Sequence, residues 1–319
     1  MKLQTIIPLQ KNHNLLDYES QSLLLGSCFS ESIGDKLEYF KFDILQNPFG
    51  ILFHPLAIEN LLERAISQKP YTKQEVFKLG DVWSCFDAHS QMNALTREPL
   101  LNSLNKNLEN TASYVQKASH AFITLGTAWA YHHHSKSNPV ANCHKVPQKE
   151  FEKKLLSVEE IMGSLKSIVT LVKSGNRDIQ IIFTISPVRH LKDGFVENQR
   201  SKAHLITGVH GFLASEEGSG CQYFPSYEIV MDELRDYRFY GKDMVHPNEL
   251  AIDYIWQKFK SAWISEKVYD VMDEVESIQR GLSHKPFNAD SNAHGKFQKN
   301  LQSKIEYLQK KYPSINFHK

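Results

Sequence analysis

The sequence predicts a three-layer α/β/α fold built on a mainly parallel, five-stranded sheet, and three observations support this prediction. Short apolar runs alternate along the chain with segments in which apolar residues recur at helical spacing. Two of the runs stop at a glycine, one at Gly26 and the other at Gly126. A capping-box pattern, Ser157-x-x-Glu160, opens one of the helical segments. Strands that are separated by helices are typical of a parallel sheet with helices on both of its faces.

The strands and helices are predicted in a regular order along the chain. The apolar run from Ser22 to Ser27 leads through a turn into a helix from Glu31 to Phe40. Further strands are predicted at residues 42–45, 121–126, 179–185 and 221–224, and a hairpin at 76–79 and 82–86. Further helices are predicted at residues 55–68, 99–119, 157–175, 198–214 and 247–262. The carboxyl ends of parallel strands share one edge, so four residues are expected near each other there: Gly26, Gly126, Ser186 and His246.

The chain is predicted to form one core domain with an appendage. Residues 1–265 contain all of the predicted strands and therefore form the α/β domain. Residues 266–319 are richer in polar residues and end in a helix through Leu301, Ile305 and Leu308. We expect this segment to be a helical C-terminal extension that packs on the core.

Composition and charge exclude several classes of protein. The 319 residues carry a formal net charge of +1 with interspersed signs, so neither a nucleic-acid partner nor a membrane partner is expected. The four cysteines lie far apart without a C-x-x-C pair, which is typical of reduced thiols rather than of a disulfide framework. The N-terminus lacks a secretory signal pattern. A cytoplasmic location is expected.

Two short motifs indicate an enzyme. Leu24-Leu-Gly-Ser-Cys-Phe-Ser30 places a hydroxyl and a thiol on a strand-to-helix turn. Asp243-x-x-His246-Pro247 supplies a histidine with a carboxylate three residues before it. A nucleophile at a helix N-terminus and a base oriented by a carboxylate are the groups that covalent acyl transfer requires.

Several stretches together resemble the GSCFA family, which is grouped with the SGNH (GDSL-like) hydrolases. They are Gly26-Ser-Cys-Phe-Ser30, Asn47-Pro-Phe-Gly50, Asn142-Cys-His-Lys145, Ser186-Pro-Val-Arg-His190, Asn198-Gln199, Ser201-Lys202 and Asp243-x-x-His246-Pro247. The resemblance extends from about residue 20 to about residue 265. It implies a flavodoxin-like fold and ester chemistry, and it does not indicate a particular substrate.

The resemblance places the nucleophile within Gly26-Ser27-Cys28. When this turn is aligned with the Gly-Asp-Ser turn of SGNH enzymes, Cys28 occupies the position of the nucleophilic serine. The positive end of a helix dipole and its unpaired N–H groups favour a thiolate there. Ser27 is the alternative nucleophile if the register is shifted. If the turn has no catalytic role, Cys28 is expected to be a small buried structural residue.

The other groups of the site are predicted from the same resemblance. Asp243 would accept the Nδ1 proton of His246 and leave Nε2 free as the base toward Cys28 or Ser27. The oxyanion would be held by the backbone N–H groups of the nucleophile and of Gly50, in the loop that begins at Asn47.

The chain departs from the family pattern after its third strand. Gly126-Thr127-Ala128 carries an alanine where the pattern Gly-x-Asn has an asparagine. Asn142 would supply the missing amide if residues 140–144 fold back over Thr127, and otherwise it is a turn residue.

Two basic residues and a histidine-rich stretch complete the set of candidates. Arg189 and Lys202 are candidates for binding a carboxylate or a phosphate of the substrate, although ion pairs within the protein are the commoner role. The stretch from His132 to His134, with Cys143, His144 and His190, matches no zinc-binding spacing. We expect a solvated loop there, and no metal ion and no cofactor.

These observations predict an esterase or O-acyltransferase that acts on a small or carbohydrate ester through a covalent acyl-enzyme. Whether the acyl group passes to water or to a sugar hydroxyl depends on how well the pocket excludes water. A catalytically inactive ligand-binding protein on the same fold is the alternative, and metal-assisted hydrolysis is a third hypothesis.

Overall fold

A computed structural model describes residues 4–136, 138–288 and 290–317 of the chain. The strands in these ranges are β1 (Gln21–Gly26), β2 (Asp43–Gln46), β3 (Val76–Leu79), β4 (Val82–Cys85), β5 (His120–Leu125), β6 (Trp129–His133), β7 (Phe151–Leu155), β8 (Gln180–Ile185) and β9 (Gln222–Phe224). The helices are α1 (Cys28–Tyr39), α2 (Pro55–Ile66), α3 (Arg97–Lys117), α4 (Val158–Gly175), α5 (Phe195–Leu213), α6 (Ser226–Glu228), α7 (Glu249–Trp263), α8 (Tyr269–Ser283) and α9 (Asn292–Lys311). None of these helices combines the length and the apolarity that crossing a lipid bilayer requires.

Five strands form the central sheet in the order β2-β1-β5-β8-β9, and every neighbouring pair in it is parallel. In the middle of the sheet Leu24 lies opposite Phe122, which in turn lies opposite Ile182. The predicted three-layer α/β fold is confirmed. The predicted parallel arrangement of the strands around residues 23, 123 and 182 is confirmed as well.

The sheet separates two apolar cores, because successive side chains of each strand point to opposite faces. Leu23 and Leu25 of β1 pack into the core beneath α2, α3, α4 and α5. Leu24 points the other way, into the core beneath α1 and α7. Both faces of the central strands are buried, which explains why they are continuous apolar runs in the sequence.

The C-terminal helices complete the second of these cores. Met272 of α8 and Ile305 of α9 belong to the same cluster as Leu37 of α1. A side-chain bond from Gln279 to the carbonyl oxygen of Tyr39, at 3.0 Å, also ties α8 to α1. Residues 266–317 therefore pack on the core, on the side that carries α1.

Two hairpins lie outside the central sheet. The β3–β4 hairpin turns at Gly80-Asp81, as the sequence predicts. The β6–β7 hairpin was not predicted, because a long connection separates its two strands in the sequence. His132 and His133 end β6, so the prediction of a solvated loop at these two residues is wrong.

Candidate active site

The candidate site lies at the carboxyl edge of the central sheet, where β1 ends at Gly26. This glycine has a φ of +133°, and a Cβ atom on it would lie only 2.0 Å from the carbonyl oxygen of Thr124. A residue with a side chain therefore cannot take its place without local rearrangement. Gly26 allows β1 to pass directly against β5 and to turn at once into α1.

Ser27 is the N-cap of α1. Its Oγ accepts the backbone N–H of Phe29 at 3.3 Å, and the side chain is completely buried. Its own N–H donates to Thr124 O at 3.0 Å. The capping geometry makes Cys28 the first helical residue and leaves the Ser27 hydroxyl engaged in the cap. Of the two candidate nucleophiles, Cys28 is therefore the more accessible one.

Cys28 is partly exposed, and its surroundings favour the protonated thiol. Burial raises the pKa of Cys28, and the nearby carboxylate of Glu31 raises it further. The charge of Lys202 and the N–H groups at the start of α1 act in the opposite direction. The sequence predicted that the helix N-terminus would favour the thiolate, but removal of the sulfur from water outweighs that effect. Cys28 thus needs a base in order to act as a nucleophile.

Asp243 and His246 form the contact that the sequence predicts. The Nδ1 atom of His246 lies 2.6 Å from Asp243 Oδ2, and Asp243 Oδ1 accepts the N–H groups of Val245 and His246 at 3.0 Å each. The hydrogen bonds from these two backbone N–H groups, with that from the ring, hold the pKa of Asp243 well below its usual range. The following helix begins at Glu249 after an Asn248 cap, two residues later than predicted.

His246 does not contact the nucleophile in this structure. In the part of the chain that is described, no hydrogen bond joins His246 to Cys28 or to Ser27, and about half of its side chain is exposed. The loop nevertheless lies near the carboxyl edge of the sheet, because Tyr240, which pairs with Pro247, lines the same cavity as Arg189, four residues after the end of β8. The predicted bond from His246 to the nucleophile is therefore absent here.

The loop after β2 does not present its glycine N–H as predicted. Gly50 donates its N–H to the carbonyl oxygen of Asn47 at 2.7 Å, because the loop closes as a tight turn with Asn47 at a φ of +38° and Gly50 at +69°. A Cβ atom on Gly50 would lie 2.5 Å from the Cβ of His89. Gly50 is thus needed for close packing, and its N–H is not free for an oxyanion.

The side chain of Asn47 offers a different donor from the same loop. Its Oδ1 accepts the N–H of Gly26 at 2.9 Å, which holds the amide against the turn that carries Cys28. Its Nδ2 is buried without a well-formed hydrogen bond among the described residues. The amide faces the carboxylate of Glu31, and a weak side-chain hydrogen bond from Asn47 lowers the pKa of Glu31, although burial raises it overall. Asn47 can exchange this weak contact for a hydrogen bond to a ligand.

Thr127 and Asn142 have structural partners. The hydroxyl of Thr127 is bonded to that of Ser201 at 2.9 Å, and it also accepts the N–H of Trp129 at 3.1 Å. Gly126 and Thr127 both donate their backbone N–H groups to Phe53 O, at 2.8 and 3.0 Å. The Oδ1 of Asn142 accepts the N–H of His144 at 2.8 Å. Asn142 is thus a turn residue, and the backbone N–H groups of residues 140–142 bond to Tyr131 and Phe86 and not to Thr127.

Lys202 is buried beneath the site and does not reach solvent. Its Nζ donates to the carbonyl oxygens of Gly126 and Ser186, at 2.7 and 2.6 Å. Burial lowers the pKa of Lys202 to about 7. The prediction that Lys202 binds the substrate is wrong, because α5 directs the ammonium inward to hold the ends of β5 and β8 together.

Arg189 faces a cavity beside the His246 loop. The cavity has a volume of about 480 Å³, and its lining includes Arg189, Gln199, Tyr227, Arg235, Tyr237 and Tyr240. Tyr240 pairs with Pro247, the residue after His246. Within the described ranges, neither arginine of this lining forms an ion pair. The lining also contains Asp232 and Asp236, so the cavity combines aromatic rings with charged groups of both signs.

His190 lies at the end of the Ser186–His190 segment that resembles the family, and the sequence also grouped it with the histidine-rich stretch. Its Nε2 is buried without a hydrogen-bond partner among the described residues. Its ring meets the ring of Phe53 edge-on, with 4.9 Å between the two ring centroids. Burial and then the charge of Lys202 lower the pKa of His190 to about 4. The feature of the sequence that could have identified His190 as a site residue is its position five residues after the end of β8. In residues 4–136, 138–288 and 290–317, no group of three or more His, Cys, Asp or Glu side chains is arranged to hold a metal ion.

The fold and these residues define an α/β protein with a cysteine-centred candidate site at the carboxyl ends of β1, β5 and β8. Residues 21–259 match the model of the GSCFA family, and residues 275–319 match that of the GSCFA domain protein, C-terminal domain. The chain belongs to the GSCFA family. No curated protein matches it.

Proposed function

We propose that this protein is an esterase or O-acyltransferase that forms a covalent acyl-enzyme on Cys28, and that it is a member of the SGNH hydrolase superfamily. The observation that carries the proposal is the division of roles in the first turn. Ser27 caps α1 and is completely buried, while Cys28 is the first helical residue and is partly exposed. The Asp243–His246 pair lies on the same edge of the sheet and supplies a candidate base.

The reaction begins with activation of the thiol. The exposed loop from Tyr240 to Pro247 moves so that His246 Nε2 reaches Cys28 and takes the proton from Sγ. Asp243 accepts the Nδ1 hydrogen and stabilises the imidazolium that forms. A base is required because the pKa of Cys28 is raised by burial.

Acyl transfer then follows in two steps. The sulfur attacks the ester carbonyl carbon, a C–S bond forms, and the carbonyl electron pair moves onto oxygen. Collapse of this intermediate breaks the C–O bond, and His246 returns its proton to the leaving alcohol. Water or a second alcohol attacks the thioester, with His246 again as the base, and Cys28 leaves as the thiol.

The cavity beside Arg189 supports a carbohydrate substrate. The faces of Tyr227, Tyr237 and Tyr240 suit the apolar face of a sugar ring, and the arginines and aspartates of the lining suit its hydroxyl groups. The cavity adjoins the loop that carries His246. A substrate group bound there would extend from the reacting ester.

A second candidate function is ligand binding without chemistry. It is favoured by the absence of a bond from His246 to Cys28 among the described residues and by the raised pKa of the thiol. The same cavity would then hold a ligand, and Cys28 would be a structural residue of the first turn.

Trapping of the acyl-enzyme separates the two functions. The protein is mixed with 4-nitrophenyl acetate, quenched in acid within the first turnovers, and mapped by peptide mass spectrometry. The expected result is an acetyl group on Cys28 in the wild type and in Cys143→Ala, a control that removes a half-buried thiol elsewhere. Cys28→Ala should show no acetyl group on the peptide from the first turn. Acetylation spread evenly over the cysteines would support the binding protein instead.

A further inference from the structure

At the carboxyl edge of the central sheet, His190 carries a potential hydrogen-bond donor that the proposed acyl transfer does not use. Most polar side chains around the Cys28 turn have a partner: Ser27 caps α1, Thr127 meets Ser201, and Lys202 meets two carbonyl oxygens. His190 Nε2 is buried and unpaired among the described residues, and Asn47 Nδ2 has no well-formed hydrogen bond among them. A buried polar atom without a partner is costly, and it commonly marks a place where a ligand completes the bonding.

The position of His190 is defined by Gly126. A Cβ atom built on Gly126 would lie 3.0 Å from His190 Nε2 and 3.2 Å from the Cβ of Ser27. The imidazole nitrogen and the turn that precedes Cys28 therefore border the same small space. Gly126 leaves that space open, because any side chain there would fill it.

The orientation of His190 is held from two sides. Its backbone N–H donates to Asn198 Oδ1 at 2.9 Å, which anchors the segment to α5. Its ring meets the ring of Phe53 edge-on at an interplanar angle of 87°. A donor that is fixed before the substrate arrives needs no reorganisation during the reaction.

The charge state of His190 suits a hydrogen-bond donor better than a general base. Burial and the neighbouring Lys202 hold the pKa of His190 near 4, so the ring is neutral at neutral pH. A neutral imidazole is a weak acceptor of protons under these conditions, but its N–H is a good hydrogen-bond donor. Neutral imidazoles act as donors to developing oxyanions in other enzymes.

We propose that His190, in the tautomer with hydrogen on Nε2, donates a hydrogen bond to the oxyanion of the tetrahedral intermediate on Cys28. This inference rests on the proposed acyl transfer. The Asn47 amide and the N–H of Cys28 are the other donors, and together they replace the Gly50 N–H, which its own turn uses. His190 neither gains nor loses a proton. It bonds to the oxygen that receives the carbonyl electron pair as the C–S bond forms.

A matched pair of variants and two reactions at Cys28 test this role. Acetylation by 4-nitrophenyl acetate passes through an oxyanion, whereas alkylation by iodoacetamide displaces iodide from carbon without one. His190→Met removes the donor at similar volume, and His190→Gln keeps an N–H near the position of Nε2. We expect His190→Met to slow acetylation by about 100- to 1000-fold and His190→Gln to recover part of the rate. Alkylation should stay unchanged in both.

Other outcomes overturn the inference in distinguishable ways. Equal losses in acetylation and alkylation would assign His190 to activation of the thiol. No loss in either would leave it without a role in the reaction. A wild-type Cys28 that is not acetylated would refute the acyl-enzyme itself, and the oxyanion donor with it. Thermal unfolding of both variants identifies any loss that comes from misfolding.

Discussion

The ammonium group of Lys202 donates a hydrogen bond to the carbonyl oxygen of Ser186 at 2.6 Å, entirely out of contact with solvent. The same nitrogen reaches Gly126 O, so one side chain of α5 joins the residues that follow β5 and β8. The candidate site thus rests on a buried, titratable support.

The buried ammonium group of Lys202 makes the free energy of unfolding depend on pH in a defined direction. Burial lowers the pKa of Lys202 from 10.5 to about 7, so between these values the unfolded chain binds more protons than the folded one. The contribution of Lys202 to the free energy of unfolding should therefore rise as the pH increases from about 7 towards 10. Denaturant titrations of the wild type and Lys202→Met, compared at pH 7 and pH 9, measure it.

The Lys202→Met variant should be less stable than the wild type by about 1–3 kcal/mol for each carbonyl oxygen left without a donor. A difference between the two proteins that is the same at both pH values would contradict the lowered pKa.

Ser27 should behave as a cap and not as a nucleophile. Ser27→Ala removes the bond to the N–H of Phe29, so the free energy of unfolding should fall by about 0.5–2 kcal/mol. Ser157→Ala, at the capping box of α4, is the matched control and should lose a similar amount. Steady-state hydrolysis of 4-nitrophenyl acetate should survive in both. Abolition of turnover in Ser27→Ala alone would move the nucleophile to Ser27.

The thiol of Cys28 should react faster at high pH and before the thiols of Cys85 and Cys143, whose pKa values are strongly raised. Burial raises the pKa of Cys28 above its ordinary value, whereas it raises that of Cys85 to about 12 and that of Cys143 to about 11. Because the thiolate is the reacting form, iodoacetamide labelling should rise through the alkaline range and should modify Cys28 before these two thiols. Mass spectrometry at several pH values follows each site. A plateau for Cys28 below pH 8 would show that the thiolate is stabilised.

The Asp243–His246 pair should matter for acyl transfer and little for folding. Asp243→Asn removes the carboxylate that lies 2.6 Å from Nδ1, and it permits the wrong tautomer of the ring. We expect kcat/KM for 4-nitrophenyl acetate to fall by about 100-fold or more, with the melting temperature nearly unchanged because the pair is half exposed. His246→Gln should show a loss at least as large. A larger loss in Asp243→Asn than in His246→Gln would argue against His246 as the base.

Gly26 should tolerate no side chain. Comparison with Gly80 separates the effect of steric contact from that of backbone strain. Gly26→Ala combines a positive φ with a contact of 2.0 Å to Thr124 O, whereas Gly80→Ala has a positive φ of 60° and no atom within 4 Å. Gly80→Ala should cost about 1–3 kcal/mol of unfolding free energy, and Gly26→Ala distinctly more. Chemical denaturation of the two variants gives the comparison. Equal costs would mean that the close approach of β1 and β5 relaxes easily.

The fold was predictable because its signals are local. The apolar runs ending at Gly26 and Gly126 identified two neighbouring strands and the edge that they share. The capping box at Ser157 and the bond between Asp243 and His246 depend on a spacing of three residues, which the sequence displays directly.

The remaining features depend on packing between distant segments. Nothing in the sequence near Lys202 shows that its ammonium meets carbonyl oxygens at the ends of two strands instead of solvent. The place of His190 beside the first turn could not be predicted, because its neighbour Gly126 is far away along the chain. The distance from His246 to Cys28 depends on a loop conformation that residue spacing cannot define.

The packing of α8 and α9 against α1 has a consequence for synthesis of the chain. All five strands of the central sheet precede residue 225, but the cluster under α1 also contains Phe259, Met272 and Ile305. While a ribosome is still making α7, α8 and α9, the half-finished protein exposes the apolar side of α1 and one face of its sheet. We expect this exposed apolar face to make the incomplete chain prone to aggregation until α7, α8 and α9 have been synthesised.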